Sequence, residues 1–268
     1  DETLPHSIHG YRIVGASSAD LANLSHAFFY LDELEDIGAT LGIGSSAHDI
    51  NEEEVIVGTY VVSTFPAQSR AVRWINGDAA DLQGLGGPLN EAKAINDLGD
   101  IVGSSTRPDG QPAVAVVWRA GVPEALSSIG GTGSWATDIN NPGQIVGVSA
   151  TSLNAANHAT TWNIGEAIDL GTLGGSHSNA EAINDRGWVV GSAQLSRNFD
   201  RHACLWRSGQ IKDLGTLGGT ISYALDVDYA GRIVGGSLLP RDQASHAFLY
   251  FRGAMRDLND LLINGYSD

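Results

Sequence analysis

The chain has 268 residues, of which 34 are glycine and one is cysteine, and its formal net charge is −16. No basic stripe is present, which sets aside a nucleic-acid partner and an anionic membrane surface; the acidity reads as a solubility device. No apolar run approaches the ~20 residues that cross a bilayer, so no membrane insertion is expected, and the lone Cys204, which can form no intrachain disulfide, reads as a small buried hydrophobe.

The elements come in six similar copies at intervals of 42 to 45 residues. A repeat of that length is one supersecondary unit that cannot bury its own apolar face and must stack on its neighbours. The first copy opens with Pro5–His9 and continues into Leu21–Leu34, a stretch that passes locally for an amphipathic helix. Alignment with the later copies instead places His26-Ala-Phe-Phe-Tyr30 on a third strand, and tertiary context overrides propensity. The fourth and fifth copies are the clearest. They contain Ile139-Asn140 and Ile183-Asn184, then Ile145-Val-Gly147 and Val189-Val-Gly191, then His158-Ala-Thr-Thr-Trp162 and His202-Ala-Cys-Leu-Trp206, then Asp169-Leu-Gly and Asp213-Leu-Gly. Each segment has strand length and β-branched or alternating apolar positions.

The links carry turn chemistry. Asn184-Asp-Arg-Gly187 and Asn140-Asn-Pro-Gly143 join the first strand to the second, with Asn bonding its own backbone and Gly supplying positive φ. Arg207-Ser-Gly209 and Asn163-Ile-Gly165 join the third to the fourth, and Thr172-Leu-Gly-Gly175 leads into the next copy.

Four antiparallel strands per repeat predict an all-β fold, a six-bladed β-propeller. It forms one domain over 1–268, with blades at about 4–38, 45–82, 89–127, 133–170, 177–214 and 221–258 and a tail over 259–268. Trp74, Trp118, Trp162 and Trp206 recur, with Tyr30 and Tyr250 in the end copies, and these rings pack blade against blade. In the end copies the turn Asn gives way to His9 and Asp228, and the linker becomes Asn259-Asp-Leu-Leu262, which lacks the paired glycines. These changes favour a closed ring over an open stack. A chain that opens on Asp1 reads as processed or trimmed.

These blocks, with the literal His26-Ala-Phe28 and His246-Ala-Phe248, resemble the HAF extracellular repeat family over nearly the whole chain. The resemblance implies a secreted or periplasmic, propeller-like bacterial protein and brings no assigned chemistry. Copies two and three depart from the pattern: Gln68-Ser-Arg70-Ala71 and Ala113-Val114-Ala115 lack the His, and Glu54 stands where the turn Gly belongs.

Positions that repeat are explained by the blade, whereas positions that differ are free to serve a site. The repeated His26, His158, His202 and His246 read as structural imidazoles bonding a neighbouring blade. The repeated Asp36, Asp81, Asp169, Asp213 and Asp257 read as turn caps. Asp138-Ile-Asn140-Asn-Pro-Gly143 and Asp226-Val-Asp228-Tyr-Ala-Gly231 faintly resemble calcium loops. They lack a downstream bidentate carboxylate, and a turn without metal is preferred, so no cofactor and no metal ligand is assigned.

The first strands vary most. Around the recurring Ala47, Ala92, Ala136, Ala180 and Ala224, the preceding residues are Ser46, Glu91, Trp135, Asn179 and Tyr223. The following residues are His48, Lys93, Thr137, Glu181 and Leu225, with His6 in the first copy. His6, His48, Glu91, Lys93, Trp135, Asn179, Glu181 and Tyr223 are therefore the candidate ligand-binding set at the mouth of the channel. Aromatic faces, amides and carboxylates there suit a small polar ligand or a glycan. His48, Lys93, Glu91, Glu181 and Tyr223 are the candidates for acid–base chemistry in an alternative lyase, hydrolase or cyclase. A structural subunit assembling through blade surfaces is the third reading. No nucleophile elbow, P-loop, dinucleotide fingerprint or zinc-ligand spacing is present.

Overall fold

The computed structural model describes residues 3–18, 25–196 and 200–260. Among these residues, six antiparallel sheets each take four consecutive strands, hydrogen-bonded in sequence order, over 3–36, 45–82, 90–125, 130–169, 174–215 and 222–257. The chain is a six-bladed β-propeller, as the repeat predicts. Ser25–Tyr30 is a strand, as the alignment requires; Leu21–Leu24, the start of the helix-like stretch, and residues 261–268 of the expected tail lie outside the described residues. The chain divides into two compact units. One is Asp1–Ser127 with Thr132–Gly143 and holds blades 1 to 3; the other is Ser128–Gly131 with Gln144–Asp268 and holds blades 5 and 6. No helix among the described residues is long and apolar enough to cross a membrane.

The Ile-Val-Gly signature has a steric cause. In five blades the pairing of the first strand with the second slips by one residue, leaving His6, His48, Lys93, Glu181 or Leu225 as the extra residue of a β-bulge. Opposite each bulge stands the signature glycine. A Cβ on Gly15, Gly58, Gly103, Gly191 or Gly235 would fall on the carbonyl oxygen of Leu4, Ser46, Glu91, Asn179 or Tyr223. The glycine is thus required for close approach of two backbones.

The repeated tryptophans are buried in the seams between blades. Trp74 Nε1 donates to the Ile37 carbonyl at 2.9 Å and Trp118 Nε1 to that of Gln83 at 2.7 Å, each on the preceding blade. A second seam bond recurs beside them. The amide of the Ala in the His-Ala-x-x-Trp segment donates to a buried serine on the next first strand: Ala27 to Ser45, Ala159 to Ser178 and Ala203 to Ser222, at 2.8–2.9 Å. The turn asparagines do two jobs. Asn51 Oδ1 accepts from Val55 N of its own turn at 2.9 Å, while its Nδ2 donates to the Asn96 carbonyl of the next blade at 3.1 Å. Asn184 repeats the pattern with Trp188 and Asp228.

The repeated histidines differ from expectation in their partner. Nδ1 of His26, His158, His202 and His246 meets the carboxylate of Asp36, Asp169, Asp213 and Asp257 at 2.6–2.9 Å, on the fourth strand of the same blade rather than on a neighbour. The other carboxylate function is the turn cap that the sequence suggests, since the amide two residues on donates to Asp36, Asp169, Asp213 and Asp257. Blade 2 lacks the His, and there Tyr60 donates its hydroxyl to Asp81 at 2.9 Å. Blade 3 lacks the His and carries Ala125 near the place of the Asp, so the pair is absent as a pair.

Candidate functional site

The bulge takes four of the candidate residues out of the ladder. An ordinary strand residue alternates between the two faces of its sheet, whereas a bulged residue is left out of the ladder and its side chain is re-aimed. The non-repeating positions His6, His48, Lys93 and Glu181 are those extra residues, and Glu91, Asn179 and Tyr223 lie two places before Lys93, Glu181 and Leu225.

In the first unit, successive first strands stand side by side and the re-aimed side chains reach across the gap. His6 Nδ1 lies 2.8 Å from the Ala47 carbonyl of blade 2, and His48 Nδ1 lies 2.6 Å from the Ala92 carbonyl of blade 3. A carbonyl oxygen only accepts, so each imidazole carries a proton on Nδ1. Ser46 Oγ also approaches His6 Nδ1, at 3.3 Å. The two rings lie 5.8 Å apart between centroids and are tilted by 54°. Lys93 Nζ and Glu91 Oε1 form an ion pair at 2.7 Å. Burial and the Lys93 ammonium push the His48 pKa down to about 4, against the opposing pull of the Ala92 carbonyl and Glu91. His48 is therefore a neutral imidazole at pH 7. Trp135 shares this unit and is 40% exposed, unlike the buried seam tryptophans.

Asp49, next to His48, escaped the sequence reading. Its carboxylate accepts from Ser7 Oγ of blade 1 at 2.7 Å and from Ile95 N of blade 3 at 2.9 Å, so it links three blades. Burial raises its pKa, and these two hydrogen bonds work the other way. The signal was present as the one carboxylate immediately after His48, but its two partners lie 42 and 46 residues away.

In the second unit, Asn179 Nδ2 approaches Glu181 Oε1 at 3.3 Å. Tyr223 is 40% exposed, and its ring lies over Gly236, where any side chain would collide with it. Of the two calcium-like turns, the second directs its carboxylates to other partners. Asp226 Oδ1 accepts from Val227 N at 2.7 Å, and Asp228 accepts from the Arg232 backbone at 2.8 Å and from its guanidinium. Among the described residues no three His, Cys, Asp or Glu side chains form a metal-binding group. Cys204 is fully buried, and burial holds its thiol well above the usual range, so it is no nucleophile.

No family model matches the chain, and no curated protein matches it. Solved structures do share its fold. The chain is similar to the β-propeller domain of the Trilobed protease from Pyrococcus furiosus (TM-score 0.66, 14% identity, 99% of this chain and 84% of that one). It is also similar to the acylaminoacyl peptidase of Pyrococcus horikoshii (TM-score 0.58, 14% identity, 98% of this chain and 46% of that one). TolB from Acinetobacter baumannii matches with a TM-score of 0.55 and 10% identity, over 91% of this chain and 65% of that one. The chain thus spans less than two thirds of the TolB chain and under half of the peptidase chain.

Proposed function

We propose that this propeller is a binding module, and that in its first unit the re-aimed residues His6, His48, Glu91 and Lys93, with Trp135, take a small polar ligand such as a sugar. The observation that carries this reading is the bulge. It sets an extra, re-aimed side chain on the first strand of blade after blade, and those side chains differ in chemistry. Two imidazoles, a carboxylate, an ammonium and an exposed indole face match the hydroxyls and the apolar face of a saccharide. Asn179, Glu181 and Tyr223 hold the corresponding positions of their blades in the second unit. We read the chain as exported, on the resemblance of its repeat to HAF repeats.

Catalysis by the same residues has one observation in its favour, the proximity of Glu91, Lys93 and His48. Two others weigh against it: a base titrating at about 4 is weak at neutral pH, and the Glu91 carboxylate is engaged by Lys93.

The test is saturation-transfer NMR of the chelator-treated protein against a panel of mono- and oligosaccharides. Saturable binding that disappears in His48→Ala and Trp135→Ala, with unchanged circular dichroism, supports the reading. Absence of binding across the panel, or binding that neither substitution alters, defeats it.

A further inference from the structure

We propose that the seam between blades 4 and 5 binds a small apolar carboxylate, with its hydrocarbon body in a cavity between the two sheets and its carboxylate on the Arg207 guanidinium. The cavity has a volume of about 220 Å³, and its apolar wall is formed by Ile168, Leu170, Ile183, Val189 and Trp206. An apolar cavity of about 150 Å³ already takes a benzene ring, so this one has room for a ring that carries a substituent.

The cation is placed for an anion. Among the described residues, Arg207 is the one cation in the lining, and it has no carboxylate partner. Arg12, Arg119 and Arg232, by contrast, are each paired with an acid. The Arg207 guanidinium carbon lies 4.2 Å from the centroid of the Trp188 ring, which orients the group without using up its N–H donors. A guanidinium held in this way matches a carboxylate in geometry and in charge. The acid in the lining, Asp169, is already engaged: its carboxylate accepts from His158 Nδ1 at 2.8 Å and from the Gly171 amide at 2.7 Å.

The indole in the wall lacks a hydrogen bond. Trp206 is 3% exposed, and its Nε1 has no acceptor. Buried indole N–H groups ordinarily find a partner. Those of Trp74 and Trp118 do so across their own seams, on the carbonyls of Ile37 and Gln83. The seam of blades 4 and 5 therefore leaves a donor unmet beside its cavity, and an acceptor entering the seam would complete it.

The chain contains its own control. The seam of blades 1 and 2 has a corresponding cavity of about 210 Å³, lined by Glu35, Ile37, Glu54 and Trp74 among others. There the indole N–H is satisfied and two acids line the space. Aligned on the repeat, Ile168 replaces Glu35, Gly187 replaces Glu54 and Arg207 replaces Ile75. Two cavities of nearly equal size thus differ in sign: one is acidic, the other apolar with a cation. The blade requires none of these three exchanges, because blades 1 and 2 form their seam without them.

The experiment is NMR titration of the full chain with benzoate, with benzyl alcohol as the neutral match of similar size. One benzoate per chain, bound about tenfold or more tighter than benzyl alcohol, supports the site. Arg207→Ile and Ile168→Glu give this seam the side chains of Ile75 and Glu35, and both positions are exposed, so the fold tolerates them. Each should weaken benzoate about tenfold or more, while His48→Ala leaves it unchanged. The Trp206 indole ¹⁵N–¹H resonance, identified by its loss in Trp206→Phe, should move as benzoate is added. No saturable binding, equal affinity for benzyl alcohol, binding untouched by both substitutions, or an unmoved Trp206 resonance overturns the proposal. The site shares no residue with the proposed sugar site, so either reading can fail while the other stands.

Discussion

His48 donates its Nδ1 proton to the carbonyl oxygen of Ala92, 2.6 Å away on the next blade. The bond holds the imidazole in a half-buried position where the neutral form is favoured, and the pKa falls to about 4. The unfolded chain titrates this group near 6.5. Between those values the unfolded state binds more protons than the folded one, so the neutral imidazole's contribution is complete above pH 6.5 and is lost as pH falls toward 4. The loss is at most on the order of 3 kcal/mol. Urea unfolding at a series of pH values should show this slope in the wild type and a flatter one in His48→Asn. Identical slopes would mean that the imidazole titrates normally.

The bulge that aims His48 depends on Gly58, where a Cβ would meet the Ser46 carbonyl. Gly58→Ala should cost about 2 kcal/mol or more, as other forced overpacking does. Gly121 offers a contrast: it has open space around it but a φ of +78°. Gly121→Ala should cost only the backbone term of about 1 kcal/mol. Denaturation midpoints would rank the two, and equal costs would show that the close approach of the two strands does not matter.

How much of this was legible in the sequence follows from the range of each interaction. The repeat registers strands and turns because they are local: Asn184 caps its own turn through an amide four residues on, at Trp188. The variable positions were legible for the same reason, since six internal copies show which first-strand residues differ from blade to blade; that His6 and His48 nonetheless bond the next blade was not. The bulge was not, because one extra residue changes nothing in the apolar pattern until the partner strand is known. Nor was the partner of the repeated histidines. His202 and Asp213 both repeat, but only the pairing of the third strand with the fourth reveals that they meet within one blade. Asp49 was missed because its hydrogen bonds join three separate repeats.

The seam tryptophans are not equivalent. Trp74 Nε1 donates to Ile37, while Trp206 Nε1 is buried with no hydrogen-bond partner among the described residues. Trp→Phe removes a similar volume at both places. At Trp74 it also strands a carbonyl, whereas at Trp206 it deletes an unsatisfied donor. Trp74→Phe should therefore be more destabilising than Trp206→Phe by about 1–3 kcal/mol. Calorimetry on both variants checks the sign, and a larger loss at Trp206 would contradict it.

Exposure divides the tryptophans again. Trp206 is 3% exposed and Trp135 is 40% exposed. Trp206→Ala should cost about 3–5 kcal/mol, as for other buried aromatics. Trp135→Ala should cost under about 1 kcal/mol and act on ligand binding instead. If chemical denaturation finds the two equally damaging, Trp135 belongs to the scaffold and the division between blade and site fails.

His246 and Asp257 give the repeated His–Asp pairs a measurable signature. The hydrogen bond from His246 holds the Asp257 carboxyl below the usual carboxylate range. A carboxyl depressed in this way contributes stability above its unfolded pKa, and loses it as pH falls through the lower folded value. Carboxyl ¹³C shifts should therefore show Asp257 titrating below 3.8 in the wild type and moving upward in His246→Phe. The other bond to this carboxylate, from the Asn259 amide at 2.8 Å, persists in the variant, so the move should stop short of a fully solvated aspartate. An unmoved Asp257 would mean that the turn amide alone sets its acidity, and that the repeated imidazole serves packing rather than charge.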